Sequence, residues 1–269
     1  MAGDLDRKKG EALPVDAFRL DGKLAVVTGA AQGIGAAIAM TFAAYGAEVA
    51  ICDRLADGLA ETASAITSAG GTVASSEVLD VRDLDAVRAW VATLERVDTL
   101  VNNAGGTFHG PFLNVSSNAQ RSLIDENFTS VTNFVRECVP KMAPGSTIVN
   151  VTSVEAFRGA PGFAVYGAMK AAVEHLSRSL ALELSEQGVR VNTIAPDAIK
   201  TVGDDDLTVG SRDYGATLAI GWGYPVHCAG AAVFLASSAS SLITGTTIHV
   251  DAGSDAARGW RKTDEGWIP

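Results

Sequence analysis

The chain has 269 residues, and 47% of them are hydrophobic against 19% charged, so it builds a packed core of one large or two small domains and is not a disordered chain. A formal net charge of −10 and a pI near 4.8 oppose a nucleic-acid or anionic-membrane partner. No apolar run reaches the ~20 residues of a membrane span, and residues 1–14 mix charges where a signal peptide needs an apolar core. Residues 1–17 read as a poorly ordered arm. Cys52, Cys138 and Cys228 are few, odd in number and far apart, which suits a reducing cytoplasm with no disulfide frame and no metal cluster; each is expected to be a small buried hydrophobe.

The domain begins with a short apolar run, Leu24–Thr28, flanked by Gly22 and Gly29, the mark of a buried parallel strand. Gly29-Ala-Ala-Gln-Gly33-Ile-Gly35 follows and opens an Ala-rich helix to about Tyr45, with Gly46 as its stop. A strand, a glycine turn and a helix let a pyrophosphate meet backbone N–H groups at a helix N-terminus, which makes Gly29, Gln32, Gly33, Ile34 and Gly35 cofactor candidates. The next strand, Val49–Cys52, ends in Asp53, eighteen residues after Gly35, where an acid accepts from adenosine ribose hydroxyls and repels a 2′-phosphate. That favours NAD over NADP, although Arg54 next door is able to receive a phosphate.

Alternation continues with a helix over Ala56–Ala69, a strand over Thr72–Leu79 ending in Asp80-Val81, and an amphipathic helix over Asp83–Arg96. A strand over Asp98–Val101 leads into Asn102-Asn-Ala-Gly-Gly106. One long helix is expected over Ala119–Met142, with Asn127 inside it as an unfavourable residue that needs a buried partner or exposure. The run Ser146–Val151 is β-branched and ends in Thr152-Ser153; a loop with Gly159, Pro161 and Gly162 then gives way to a helix over Ala164–Gln187. Tyr166 and Lys170 are four apart on it and share a face. A lysine beside a tyrosine favours the phenolate, and a tyrosine brought toward neutral pH exchanges a proton with an alcohol or ketone oxygen, to which Ser153 adds a hydroxyl.

A strand over Val189–Ala195 is closed by Pro196-Asp197. Residues 198–222 lose periodicity and read as a lid; the run Asp204–Asp206 inside it reads as a solvated helix cap and not a metal site. A helix over Pro225–Ala236 and a strand over Thr246–Val250 complete one domain, 18–253, leaving the tail 254–269. The fold class is α/β, a doubly wound, mainly parallel sheet of about seven strands with helices on both faces. Gly29, Asp53, Asp80, Asn102, Ser153 and Pro196 all fall at strand C-terminal ends, where such sheets bind ligands.

These pieces, in this order and spacing, resemble the classical short-chain dehydrogenases/reductases over about Leu20–Gly253: Thr28-Gly-Ala-Ala-Gln-Gly-Ile-Gly35, Asp80-Val81, Asn102-Asn-Ala-Gly105, Asn127, Ser153, Tyr166-Gly-Ala-Met-Lys170 and Val191-Asn192 before Ala195-Pro196. The resemblance implies that Tyr166 is the general acid/base, that Lys170 lowers its pKa and holds the nicotinamide ribose, that Ser153 orients the substrate oxygen, and that Asn127 holds a water on the proton path. It implies adenosine contacts from Asp53, Asp80, Val81, Asn103, Ala104 and Gly105, and contacts near the carboxamide and pyrophosphate from Pro196, Ile199 and Thr201. The implied reaction is reversible hydride transfer between a secondary alcohol and NAD, and a homotetramer packed through the helices 119–142 and 164–187.

Three departures bear on the substrate: Asp197 where the family usually has glycine, the acidic lid, and Asp251-Ala-Gly where Asp-Gly-Gly is usual. The tail ending Trp267-Ile-Pro269 either covers a neighbouring subunit's site or has no fixed structure. Substrate contacts are expected from Thr107, His109, Ser153, Glu155, Phe163, Asp197 and Trp222, whereas His175, His227 and His249 read as structural. Aromatic and apolar candidates without an obvious basic clamp favour a small-molecule alcohol such as a steroid or other ring alcohol. The alternatives are an NADPH-dependent 3-oxoacyl-thioester reductase, disfavoured by Asp53 and the net acidity, and an NAD sensor without turnover, disfavoured by the presence of Tyr166 and Lys170.

Overall fold

The computed structural model describes residues 12–201, 218–263 and 265–268. Its centre is a seven-stranded parallel sheet in the order β3-β2-β1-β4-β5-β6-β7. The strands are β1 (Leu24–Thr28), β2 (Glu48–Asp53), β3 (Thr72–Val78), β4 (Thr99–Asn102), β5 (Thr147–Val151), β6 (Arg190–Pro196) and β7 (Thr247–Val250). The central strands are buried along their whole length, as expected of apolar runs covered on both faces, while edge strand β3 alternates in exposure.

Helices α1 (Gly33–Ala44), α2 (Ala56–Ser68) and α7 (Pro225–Ala236) cover one face; α3 (Leu84–Thr93), α5 (Ser130–Cys138) and α6 (Ala164–Glu183) cover the other. Alternation within β1 divides the strand between these layers: Ala25 and Val27 join Ile38, Phe42 and Ala232, whereas Leu24 and Val26 join Trp90, Phe134 and Val173. Phe42 is fully buried, and truncating it to Ala would cost about 3–5 kcal/mol. Cys52, Cys138 and Cys228 are free thiols inside these layers.

The long helix expected over 119–142 is interrupted. It starts as α4 (Ser117–Ile124), widens into a π segment over Asp125–Thr129, resumes as α5 and ends in a 3₁₀ turn, Val139–Lys141. Asn127 is the physical reason: its Nδ2 donates to Leu123 O at 3.0 Å and to Gly106 O at 2.9 Å, so a side chain competes for a carbonyl of the helix ladder.

Regular structure extends into the described parts of both terminal segments. Val15–Phe18 forms a 3₁₀ turn in which Ala17 is buried and its carbonyl accepts from Ser238 Oγ, so the expected arm is packed at least from there; residues 1–11 lie outside the described residues. The tail is a short helix, α8 (Ser254–Ala257), and an antiparallel hairpin of β8 (Arg261–Thr263) and β9 (Gly266–Ile268). Trp260, Trp267 and Ile268 stand exposed on it. Most of the expected lid, including Asp204–Asp206, lies outside the described residues. Its two stems are joined by a bridge between Ile199 and Gly223, with Lys200 Nζ over the Trp222 ring at 5.2 Å.

Candidate active site

The sheet reverses its winding between β1 and β4, and at the C-terminal edge there a cleft of about 760 Å³ opens. Its first wall is the turn after β1. Gly29 has φ +67°, and a Cβ on Gly35 would stand 2.0 Å from Gly29 O and 2.4 Å from Asn103 Nδ2, so only glycine lets the helix start this close to the strand. Asn103 Nδ2 donates to Thr28 O and Gly29 O, both at 3.1 Å, which makes it a brace for the turn. Gln32, Gly33 and Ile34 line the cleft as α1 begins, with Thr201 opposite.

Asp53 and Arg54 line the next part of the wall. Asp53 is 9% exposed, and its oxygens accept from Ala31 N and Leu55 N, each at 3.0 Å, which fixes the carboxylate at the end of β2. Asp80 and Val81 follow; Asp80 is held by the Arg82 guanidinium, which keeps its carboxyl below the usual range, and Arg82 reaches on to Ser122 Oγ at 2.9 Å. Asn103, Ala104 and Gly105 form the floor, and Pro196 and Thr107 also line the cleft. Ile199 is buried in the lid stem and does not reach it.

Ser153 ends the β5 segment and caps the turn Val154–Ala156; α6 brings Tyr166 and Lys170 across from it. The Tyr166 phenol is pushed up to about 12, first by withdrawal from solvent, then lowered in part by its hydrogen bond with Ser153 and raised by the carboxylates of Glu155 and Asp197. Lys170 is buried and drawn down to about 8 by desolvation, against a smaller opposing pull from Glu126. Its Nζ donates to Val151 O at 3.0 Å and lies 5.5 Å from the Tyr166 ring centre. Lys170 is thus anchored on a strand carbonyl beside the Tyr166 ring, while the carboxylates of Glu155 and Asp197 raise the phenol.

Asn127, buried in the π segment, leaves Oδ1 without a hydrogen-bond partner; a Cβ on Gly105 would stand 2.7 Å from that oxygen and 3.2 Å from Lys170 Nζ. The two groups thus meet at one point. Thr107 Oγ1 is likewise buried and unpaired. Of the expected substrate contacts, Phe163 lines a small crevice beside Tyr166, and exposed His109 packs edge-on against Phe163 at 5.3 Å, outside the main cleft. Trp222 lies under Lys200 in the lid stem. Glu155 and Asp197 lie outside the cleft lining but are joined through Arg158. Arg158 escaped the sequence reading because it sits in a Gly/Pro loop with no spacing signal; an arginine three residues after Glu155 was the available hint. The described residues contain no cluster of acidic, His or Cys groups fit for a metal ion.

Known proteins are similar to this chain over most of its length. A family model described as Enoyl-(Acyl carrier protein) reductase matches residues 29–255. The gluconate 5-dehydrogenase of Gluconobacter oxydans is 38% identical over 253 residues, covering 88% of this chain and 96% of its own. A 7α-hydroxysteroid dehydrogenase solved with NADH and 7-oxo glycochenodeoxycholic acid superposes with a TM-score of 0.84 at 34% identity, over 90% of this chain and 98% of its own. A proposed NAD(P)-dependent gluconate 5-dehydrogenase from Beutenbergia cavernae, with NADP bound at low occupancy, gives 0.84 at 35% identity, over 89% and 99%.

Proposed function

The chain belongs to the short-chain dehydrogenase/reductase family, and we propose that it is an NAD(H)-dependent oxidoreductase interconverting a secondary alcohol and a ketone, with Tyr166 as general acid/base. The observation that carries the reading is that Ser153, Tyr166 and buried Lys170 together line a nucleotide-sized cleft, beside the orphaned Asn127 Oδ1. The residues fit a nicotinamide dinucleotide: glycines admit a pyrophosphate to the α1 N-terminus, and Asp53 stands where the adenosine ribose belongs. When bound, the nicotinamide supplies the hydride acceptor or donor. Asp53 favours NAD by opposing a 2′-phosphate; Arg54, exposed on the same wall, would serve NADP if that were the cofactor used.

The chain's own groups handle the proton. Ser153 Oγ and Tyr166 Oη hold the substrate oxygen between them. In ketone reduction the phenol donates its proton to that oxygen; in alcohol oxidation the phenolate takes it. A phenol near 12 is protonated at neutral pH, so these side chains are poised for reduction. Lys170, near 8, exchanges protons readily at neutral pH, and Asn127 Oδ1 is the acceptor that extends the path beyond it. We place the enzyme in the cytoplasm as a homotetramer built through the α4–α5 rod and α6, on whose surface Leu182 is 76% exposed. No helix of the described residues is long and apolar enough to cross a membrane.

The test is cofactor-resolved turnover: NAD and NADP in parallel against cyclic, acyclic and steroid secondary alcohols, with Tyr166→Phe as control. NAD-linked oxidation lost in the Phe variant supports the proposal. NADP-linked activity confined to 3-hydroxyacyl thioesters would replace it with the thioester-reductase reading, and NADH binding without any turnover would replace it with the sensor.

A further inference from the structure

Glu155 stands two residues beyond Ser153, and its amide donates to Ser153 Oγ at 3.2 Å. Its backbone lies hard against α6: a Cβ on Gly167, the residue after Tyr166, would be 3.1 Å from Glu155 O and 3.8 Å from Glu155 Cβ. The turn that carries this carboxylate is therefore fixed to both groups that hold the reacting oxygen. The side chain is 21% exposed, and Arg158 Nη2 donates to its Oε1 at 2.8 Å. The same Nη2 reaches Asp197 Oδ2 at 3.2 Å, an oxygen that also accepts from Ser254 Oγ at 2.5 Å, while Asp197 Oδ1 accepts from Ala198 N at 2.9 Å.

Two carboxylates thus share one guanidinium nitrogen, and both push the neighbouring phenol upward, against the proton removal that oxidation requires. Both oxygens of Asp197 are already engaged within the protein. Glu155 Oε2 has no donor among the described residues. A carboxylate oxygen with acceptor capacity, on the turn whose backbone touches Ser153 and α6, is matched by another hydroxyl group.

We propose that Glu155 is a specificity-determining residue whose Oε2 accepts a hydrogen bond from a second substrate hydroxyl, on a carbon adjacent to the reacting one, while Arg158 holds the carboxylate in place. The preferred substrates are then vicinal polyhydroxy alcohols, sugar-like rings or chains, in place of an isolated alcohol on an apolar ring. The inference rests on the oxidoreductase reading above and narrows its substrate class.

The experiment compares kcat/KM for cyclohexane-1,2-diol (both isomers) and cyclohexanol in wild type, Glu155→Gln and Arg158→Met. Wild type is expected to favour the better diol isomer at least ~10-fold, since a site built to pair a hydroxyl discriminates strongly against its loss. Glu155→Gln keeps the shape but not the charge and is expected to bring the ratio to within about threefold of one. Arg158→Met, which frees the carboxylate without removing it, lowers the ratio by less. A wild-type ratio at or below one, or a ratio that survives in Glu155→Gln, overturns the proposal. If neither alcohol is oxidised with either cofactor, the oxidoreductase reading fails, and thermal melts with NADH present decide the contact. A larger Tm rise from the diol than from cyclohexanol, absent in Glu155→Gln, sustains it; equal rises overturn it.

Discussion

Lys170 is a buried amine kept at a cost to folding, and Lys170→Met measures that cost. Desolvation draws its pKa from the ordinary 10.5 to about 8. At ~1.4 kcal/mol per tenfold, the drop corresponds to roughly 3 kcal/mol of stability lost while both native and unfolded chains hold the proton, that is, below about pH 8. Between about pH 8 and 10.5 the native state has shed the proton and the unfolded chain still binds it, so wild-type stability rises with pH; above 10.5 the penalty is gone. Methionine has similar bulk and no charge but cannot donate to Val151 O, a loss of about 1–2 kcal/mol. The variant is therefore expected to be about 1–2 kcal/mol more stable than wild type at pH 7 and about 1–2 kcal/mol less stable near pH 10.5. Urea unfolding followed by tryptophan fluorescence at pH 7, 8, 9 and 10 reads the difference, and subtracting the two proteins cancels all other titrating groups. A variant already less stable at pH 7, with a gap that does not move with pH, would refute the reasoning. Turnover should be lost in the same protein.

Other outcomes follow from the same geometry. Gly35→Ala forces a methyl to 2.0 Å from a backbone oxygen that cannot swing away, so it should cost about 3 kcal/mol in urea melts and abolish NADH binding by fluorescence; a variant that binds normally would show that the turn is looser than described. Asp53→Ala removes the charge facing the adenosine ribose and should cut kcat/KM with NAD by about 10- to 100-fold while raising the NADP/NAD ratio, and an unchanged ratio would move cofactor choice to another residue. With the Tyr166 phenol near 12, alcohol oxidation should climb toward tenfold per pH unit from pH 7 to 9 while ketone reduction stays flat, and an oxidation profile that levels off below pH 8 would contradict this.

The sheet was legible because its central strands are short apolar runs punctuated by Gly, Asp or Asn, and because strand ends such as Asp53 and Ser153 carry polar residues that a buried parallel strand has no other use for. Tyr166 and Lys170 were legible as a pair because helical spacing alone puts them on one face. What that spacing cannot convey is where the Lys170 amine points, and its hydrogen bond to Val151 O is a contact across nineteen residues. Arg158, Asp197 and Ser254 meet from three separate segments, so no local pattern announces them. The hairpin Arg261–Ile268 was missed for a different reason: its strands are three residues each, too short for a period of two to register.

The π segment at Asp125–Thr129 also sets a rule about chain length. Each residue of an α-helix advances the face by about 100°, so one extra residue in the coil resets the angular phase between α4 and α5. Leu123 before the break then lines the cleft and Val131, Phe134 and Cys138 after it seat in the core, while Asn127 between them is turned toward Gly105 and Lys170. A regular helix would have to give up one allegiance or the other. Deleting a single residue here would therefore do what few point substitutions can: it would leave every side chain chemically intact and put either the core or the proton path out of register.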